Sequence, residues 1–391
     1  MKSNYDILGN HIRLIDTRNR ESITDRVLGI NIDKFFMPSV ANVIGTDLSK
    51  YKLITKGKFA CNPMHVGRDE RLPVALYDEE KPAIVSPAYF MFEVIDNSIL
   101  NEDYLMMWFR RPEFDRICWL HTDGSVRGGI TWDDICRLEL PIPPIENQLE
   151  IVNSYKAITE RIALKQKIND NLVAVGVASI QKNVGRGALI NLTEAEMDRL
   201  CLPDGFSVQT VSDFCIDTKS GSTPSRTNNK YWENGTISWV KSGEVHNNIT
   251  LQTEEYITQL GLNESSTKLL PKDTVLMAMY GVTAGEVGYL AIEATTNQAI
   301  CGMICRSKAE AAYLYFSLIQ SQTAISRLSN GGAQDNLSKN FIDAIKLVVP
   351  PSEVIDKLNL SAVVEQMTLN TKEIILLEEL QSTALAQLSS H

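Results

Sequence analysis

Apolar positions along this chain change their spacing twice in the same way. Up to Pro143-Pro144 they fall in short alternating runs, and from Ile145 to about Gln181 they recur every three or four residues. A switch from a period of two to about three and a half predicts a strand, a stop and a long helix. The pattern is repeated at the C-terminus, where Ile345-Lys346-Leu347-Val348-Val349 runs into Pro350-Pro351 and a second periodic segment. The copies stand 207 residues apart: Glu146 answers to Glu353, and Ile151, Ile162 and Ile168 answer to Leu358, Leu369 and Ile375. Proline ends a strand ladder yet fits a first helical turn, so Pro-Pro suits this boundary.

Each periodic segment carries a narrow apolar seam. In the first, Ile151, Tyr155, Ile158, Ile162, Lys165, Asn169 and Leu172 alternate steps of four and three; in the second the seam is Leu360, Val363, Met367, Asn370, Ile374, Leu377, Gln381, Ala384 and Leu388. Such spacing predicts coiled-coil packing, and the polar members Lys165, Asn169, Asn370 and Gln381 are residues that fix register at a cost in stability. Two unrelated amphipathic surface helices are the simpler alternative, and the matched offset argues against it.

The rest of the chain repeats as well. Ile15-Asp16-Thr17-Arg18 is answered by Ile216-Asp217-Thr218-Lys219, Lys56-Gly57 by Lys272-Asp273, Ser86-Pro87-Ala88 by Asn297-Gln298-Ala299, and Tyr104-Leu105 by Tyr313-Leu314. Strands are expected at Val27–Ile32, Leu53–Ala60, Val74–Tyr77, Ala88–Ile95 and Leu138–Ile142, with a helix starting at Asn101 and interrupted at Pro112. The expected fold is α+β: two similar mixed α/β domains separated by two long antiparallel coiled-coil helices, with a pseudo-two-fold internal repeat. The boundaries are 1–144 for the first domain, 145–182 for the first long helix, 183–203 for a connector, 204–350 for the second domain and 351–391 for the C-terminal long helix. About 37 helical residues make a rod of roughly 55 Å, which can hold globular parts at opposite ends.

Composition narrows the class. At 391 residues the chain suits two or three domains, and 44% hydrophobic with 22% charged residues is ordinary for a globular protein. No apolar run approaches the roughly 20 residues that span a bilayer, and the N-terminus lacks a signal-peptide core, so the cytoplasm is expected. Seven scattered cysteines read as reduced thiols, with Cys301 and Cys305 buried on one side of a strand rather than holding a metal. The net charge of −10 speaks mildly against nucleic acid. Residues 351–391 carry 2 Lys+Arg against 6 Asp+Glu, which suits a solvated or protein-facing helix.

Two stretches of the second half carry a resemblance. They are Thr218-Lys219-Ser220-Gly221-Ser222-Thr223-Pro224-Ser225-Arg226 with Tyr231-Trp232-Glu233-Asn234-Gly235-Thr236-Ile237-Ser238-Trp239-Val240-Lys241-Ser242-Gly243-Glu244, and Met277-Ala278-Met279-Tyr280-Gly281-Val282-Thr283-Ala284-Gly285 followed by Thr296-Asn297-Gln298-Ala299-Ile300. Both resemble a target-recognition domain of the DNA-specificity subunit of type I restriction-modification enzymes. Phe59-Ala60-Cys61-Asn62-Pro63-Met64-His65-Val66 is similar to the corresponding segment of the first half, in which a tyrosine often stands where Cys61 is. The resemblance covers both halves and both helices. It implies a chain that reads a split double-stranded DNA sequence, two methyltransferase subunits docked on its helices, and a nuclease/translocase subunit that joins for restriction. It places S-adenosylmethionine, ATP and magnesium in those partners and no cofactor, metal or catalytic residue in this chain.

The residues themselves agree with that division. No Gly-x-x-x-x-Gly-Lys-Ser/Thr loop is present, and Asn62-Pro63-Met64-His65 lacks the second proline and the aromatic of an adenine-methyltransferase motif. Side chains at base edges read sequence, while phosphate contacts set position. In the first domain Arg18, Arg20, Arg68 and Arg127 are candidate phosphate or guanine contacts. Lys219, Arg226 and Lys241 are their counterparts in the second. Asn62, Gln334 and Asn336 have the amides that pair with adenine, and His65, Ser222, Thr223, Ser225, Tyr280 and Thr283 are secondary candidates. Gly124, Gly128, Gly129, Gly331 and Gly332 allow close backbone approach. Each has an ordinary alternative: solvated cations, a turn at Asn62-Pro63, and core packing for Tyr280 and Trp239. His11, His121 and His246 show no carboxylate or Cys partner along the sequence and receive no chemistry. Two other classes compete: a coiled-coil adaptor that does not bind DNA, and a methyltransferase or nuclease acting alone. The second lacks a visible cofactor loop or acidic metal cluster, and salt-dependent DNA binding tests the first.

Overall fold

The computed structural model describes residues 4–122, 128–190, 196, 200–246, 248–329 and 336–388. The chain divides into two compact units, Met1–Arg161 with Leu377–His391, and Ile162–Leu376.

Strands of the first unit are β1 (Tyr5–Ile7), β2 (Ile12–Leu14), β3 (Val27–Ile30), β4 (Phe36–Pro38), β5 (Lys52–Ile54), β6 (Lys58–Cys61), β7 (Val74–Tyr77), β8 (Ala83–Val85), β9 (Phe90–Val94) and β10 (Glu139–Pro141). They form sheets in the orders β2-β9-β6-β7 and β4-β3-β8-β5, and the pair β1-β10. The run expected as one strand over Leu53–Ala60 is two strands in different sheets. Gly57 breaks it with a φ of +80°, a left-handed conformation that glycine adopts without steric cost.

The second unit contains β11 (Ala188–Leu189), β12 (Ser207–Thr210), β13 (Asp217–Ser220), β14 (Ile237–Val240), β15 (Ile249–Thr250), β16 (Glu255–Ile257), β17 (Val275–Ala278), β18 (Val287–Leu290), β19 (Thr295–Thr296), β20 (Ile300–Ile304) and β21 (Lys346–Val349). Its sheets run β13-β20-β17-β18-β15, β16-β14-β19 and β11-β21-β12. The first unit's arrangement therefore recurs: β13-β20-β17-β18 repeats β2-β9-β6-β7, and β12-β21 repeats β1-β10. The parallel pair β14-β19 repeats the parallel pair β3-β8. Even the turn before the central strand is kept, since Asp273 has φ +64° where the first unit has Gly57. Ala188 and Leu189, read from the sequence as connector, pair with Leu347 and Lys346 and so belong to a sheet.

Helices follow the same repeat with one change. The first unit has α1 (Glu102–Phe109), capped by the Asn101 side chain accepting from Tyr104 N, and α2 (Pro112–Leu120), whose Pro112 occupies the first turn. The first long helix is α3 (Ile145–Asn183). In the second unit one unbroken helix, α4 (Lys308–Ser329), stands where α1 and α2 stand in the first. The C-terminal segment, expected as one helix, is α5 (Ser352–Lys357) and α6 (Leu360–Gln387). Between them Asn359 takes a φ of +51° and interrupts the helical run.

Long-helix packing is seen within each unit. In the first, Val152 and Tyr155 of α3 share a core with Leu385 and Leu388, and Gln381 Nε2 donates to Thr159 Oγ1 at 2.7 Å. In the second, Lys165 Nζ lies 2.8 Å from Glu373 and 3.2 Å from Asn370 Oδ1, while Asn169 Nδ2 donates to Thr371 Oγ1 at 3.3 Å. Numbers rise along α3 as they fall along α6, so the pairing is antiparallel. Tyr155, Ile162, Leu360, Met367, Asn370, Ile374 and Leu388 of the expected seam are buried, and Val152 and Val364 are buried in place of their neighbours Ile151 and Val363.

Candidate nucleic-acid interface

In the second unit the run after β13 is fastened through its backbone. The Ser222 carbonyl accepts from Trp239 Nε1 at 3.1 Å and from Thr267 Oγ1 at 2.7 Å, and the Ser225 carbonyl accepts from Trp232 Nε1 at 3.1 Å. Two indole N–H groups thereby fix a loop that has no ladder of its own. Thr223 Oγ1 donates to Gln298 Oε1 at 2.6 Å, and Ser225 Oγ lies 2.9 Å from Thr227 Oγ1.

Arg226 completes this arrangement. Its guanidinium lies 3.7 Å from the Trp232 ring centre and 4.8 Å from that of Trp239, and it is ion-paired with Glu255. Lys241 reaches Glu254 and, at 3.3 Å, Glu255. Arg226 holds the Glu255 carboxyl below its ordinary range by hydrogen bonding, and Glu254 raises Lys241 in the same way. Lys219 sits 3.2 Å from Asp217. Each candidate cation of this unit thus has a carboxylate beside it. Exposed ion pairs of this kind are worth about 0–1 kcal/mol, so they exchange readily for a phosphate.

The loop after β17 presents Tyr280, which is 39% exposed, and a fully exposed Val282. Tyr280 forms an isolated antiparallel bridge with Asn336. The expectation that Tyr280 belongs to the core is corrected here, while Trp239 is buried as expected. Thr283 is a correction in the other direction: it is buried, and its hydroxyl donates to the Ser242 carbonyl at 3.2 Å.

In the first unit Arg18 donates to the Lys50 carbonyl at 2.7 Å and pairs with Asp16, also at 2.7 Å. Arg20 is exposed, and among the described residues no carboxylate pairs with it. Asn62 caps the short turn that follows, its Oδ1 accepting from Met64 N at 3.2 Å, so its side chain serves the backbone. Arg127 and Gln334 lie outside the described residues, as do Gly124, Gly331, Gly332 and the side chains of His65 and Arg68.

Two histidines have partners that the sequence did not reveal. His11 Nε2 is 2.9 Å from Asp6, and His246 Nδ1 is 2.7 Å from Glu286, 40 residues away. Cys301 is buried and Cys305 half-buried, all seven thiols are free, and burial pushes Cys301 up to about 12. Among the described residues no group of three His, Cys, Asp or Glu side chains is placed to hold a metal, and no helix is long and apolar enough to cross a membrane.

One feature of the first unit escaped the sequence reading. A cleft of about 830 Å³ opens between α2 and the residues following β6, and Arg71, Arg110, Arg116 and Trp119 line it. Arg116 and Trp119 are three apart on one helical face, a spacing visible in the sequence, but no role was assigned to the segment after Pro112. The buried Lys34 lines this cleft too, its Nζ 2.6 Å from Asp115 Oδ1 and 3.2 Å from the Leu72 carbonyl.

Residues 203–379 match the model of the type I restriction modification DNA specificity domain. The chain is similar to the type I restriction enzyme HindI specificity subunit of Haemophilus influenzae, 21% identical over 387 residues and covering 83% of each chain. It is also similar to the EcoR124I/EcoR124II specificity subunit of Escherichia coli, 26% identical over 135 residues and covering 33% of each. The crystal structure of the S subunit of a type I restriction-modification system from M. genitalium superposes with a TM-score of 0.54 at 14% identity, covering 98% of this chain and 95% of that one, a likeness of fold.

Proposed function

This chain belongs to the DNA-specificity subunits of type I restriction-modification enzymes, and from that premise we propose that its two units each read one half of a split double-stranded target. As a specificity subunit it supplies recognition and not catalysis. The observation that carries the two-headed reading is the duplicated strand order, β2-β9-β6-β7 and β13-β20-β17-β18, which gives each unit the same loops on the same scaffold.

Phosphate contacts fall to Arg18, Arg20, Lys219, Arg226 and Lys241, several of which exchange a neighbouring carboxylate for DNA. Tyr280 and Asn336, joined by an isolated antiparallel bridge, are the candidates for further base contacts. Two methyltransferase subunits dock on α3 and α6, and a nuclease/translocase subunit joins them for restriction. S-adenosylmethionine, ATP and magnesium belong to those partners.

The test is methyl transfer to DNA by the methyltransferase subunits with and without this chain, followed by sequencing of the methylated adenines. A bipartite target that appears only with the chain is expected. Exchanging residues 1–144 for those of a relative should alter one half-site and leave the other. Methylation by the isolated chain, or a continuous target, would overturn the reading.

A further inference from the structure

The cleft beside α2 has a counterpart in the second unit. There a cleft of about 590 Å³ lies between α4 and the residues following β17, with Gly281, Val282, Gln322, Thr323, Ser326 and Arg327 among its walls. Three helix positions match at the offset of the internal repeat: Asp115, Arg116 and Trp119 stand 207 residues before Gln322, Thr323 and Ser326. The opposite wall is in both cases the connection leaving the central strand, β6 to β7 and β17 to β18. Duplication has therefore kept the backbone of the cleft and replaced its side chains.

Each cleft is held firmly. In the first, the buried Lys34–Asp115 pair ties the turn after β3 to α2, and Asp115 Oδ1 also accepts from Leu72 N at 3.0 Å. In the second, Ser326 Oγ donates to the Ala284 carbonyl at 3.2 Å. Gly285 follows with φ +88°, and a Cβ there would lie 2.6 Å from Ser326 Oγ, so only glycine lets the loop approach this closely.

Carboxylates also line these clefts, Asp33, Asp69, Glu70 and Asp115 in the first and Glu286 in the second, and Arg71 lies 3.1 Å from Asp33. The remaining guanidinium groups nevertheless differ from the cations of the loops described above. Among the described residues no carboxylate pairs with Arg110, Arg116 or Arg327, whereas Arg18, Lys219, Arg226 and Lys241 are all committed to acids. The Trp119 ring is 40% exposed at the cleft rim. An unpaired guanidinium on a rigid helix is the group that recognises guanine through two parallel hydrogen bonds, and a threonine hydroxyl at the same position contacts a different base edge.

We propose that these two clefts are the base-reading sites, with Arg116 determining specificity in the first half-site and Thr323 in the second. This rests on the recognition function above and deepens it: a duplicated reader with two different half-sites needs a common backbone and differing side chains at the point of contact.

The experiment uses the complete complex with its methyltransferase subunits on a randomised DNA library, sequencing the methylated molecules. Arg116→Ala and Arg116→Lys should relax one base position of one half-site by roughly tenfold to a hundredfold, leaving the other half-site intact. Thr323→Ala should relax a position in the other half-site. Because both side chains are exposed on helix surfaces, the variants should assemble as the parent does, which gel filtration checks. Uniform weakening across all sequences, retention of base preference by Arg116→Lys, or no change would overturn the proposal while the parent complex still methylates a bipartite target. A parent complex without sequence preference would instead overturn the reading beneath it.

Discussion

Asn370 and Asn169 meet side chain to side chain on the long helices: Asn370 Nδ2 donates to Asn169 Oδ1 at 2.9 Å, and Asn370 is 1% exposed. Its Oδ1 accepts from Lys165 Nζ and from Gln366 Nε2, each at 3.2 Å, so a polar group within an apolar seam is satisfied on every side. A slip of the helices by one turn would leave several of these groups buried and unbonded. Replacing Asn370 with Ala should cost about 2 kcal/mol in urea unfolding, because Asn169 and Lys165 lose their partner. The pair Asn169→Leu and Asn370→Leu should recover that loss but relax the register, seen as new disulfide cross-links between cysteines placed one turn apart.

Lys34 and Asp115 allow a second test. Burial lowers the Lys34 pKa and Asp115 opposes that shift. Lys34→Ala should destabilise the chain by about 3 kcal/mol, since it leaves a carboxylate without its counter-ion. Lys34→Met combined with Asp115→Asn should restore most of the stability, because the amide oxygen still accepts from Leu72 N. Chemical unfolding of the three variants compares them directly.

Arg226 is fixed by stacking as well as by charge. Arg226→Ala should cost about 1 kcal/mol and change the near-ultraviolet dichroism of Trp232 and Trp239, and lysine should not rescue it because an ammonium lacks the guanidinium plane. The Glu255 pKa is depressed, so its contribution is present above the ordinary carboxylate value and is lost as pH falls through the lower folded value. Acid titration of the dichroism should therefore show a step below the ordinary glutamate range, absent from Glu255→Gln.

The thiols give a pH prediction of opposite sign. Burial pushes Cys118 and Cys301 up to about 12, while Cys201 is exposed. At pH 8 a disulfide reagent should label Cys201 rapidly and the two buried thiols only after unfolding. Since the unfolded chain releases these protons from about pH 8.5 and the folded chain retains them, stability should decline as pH rises above that value. Cys118→Ser with Cys301→Ser should flatten the decline.

Much of this molecule was legible as text. The 207-residue repeat, the Pro-Pro boundaries, the helix cap at Asn101 and the polar register residues depend on local periodicity and on the backbone limits of proline and asparagine, which act within a few residues of chain. The helix interruption at Asn359 and the division of Leu53–Ala60 between two sheets were not legible, because both turn on a single left-handed residue inside an otherwise continuous pattern. Nor were the partners of His11, His246 and Arg226, the two indole donors that fasten the loop after β13, or the cleft at Arg116. Some of those relationships join residues distant in the chain, such as His246 and Glu286 or Trp239 and Ser222, and the shorter ones, such as His11 and Asp6, depend on how a single irregular turn folds back. Sequence spacing fixes which face a side chain occupies on its own element, but only the folded chain decides what that face meets.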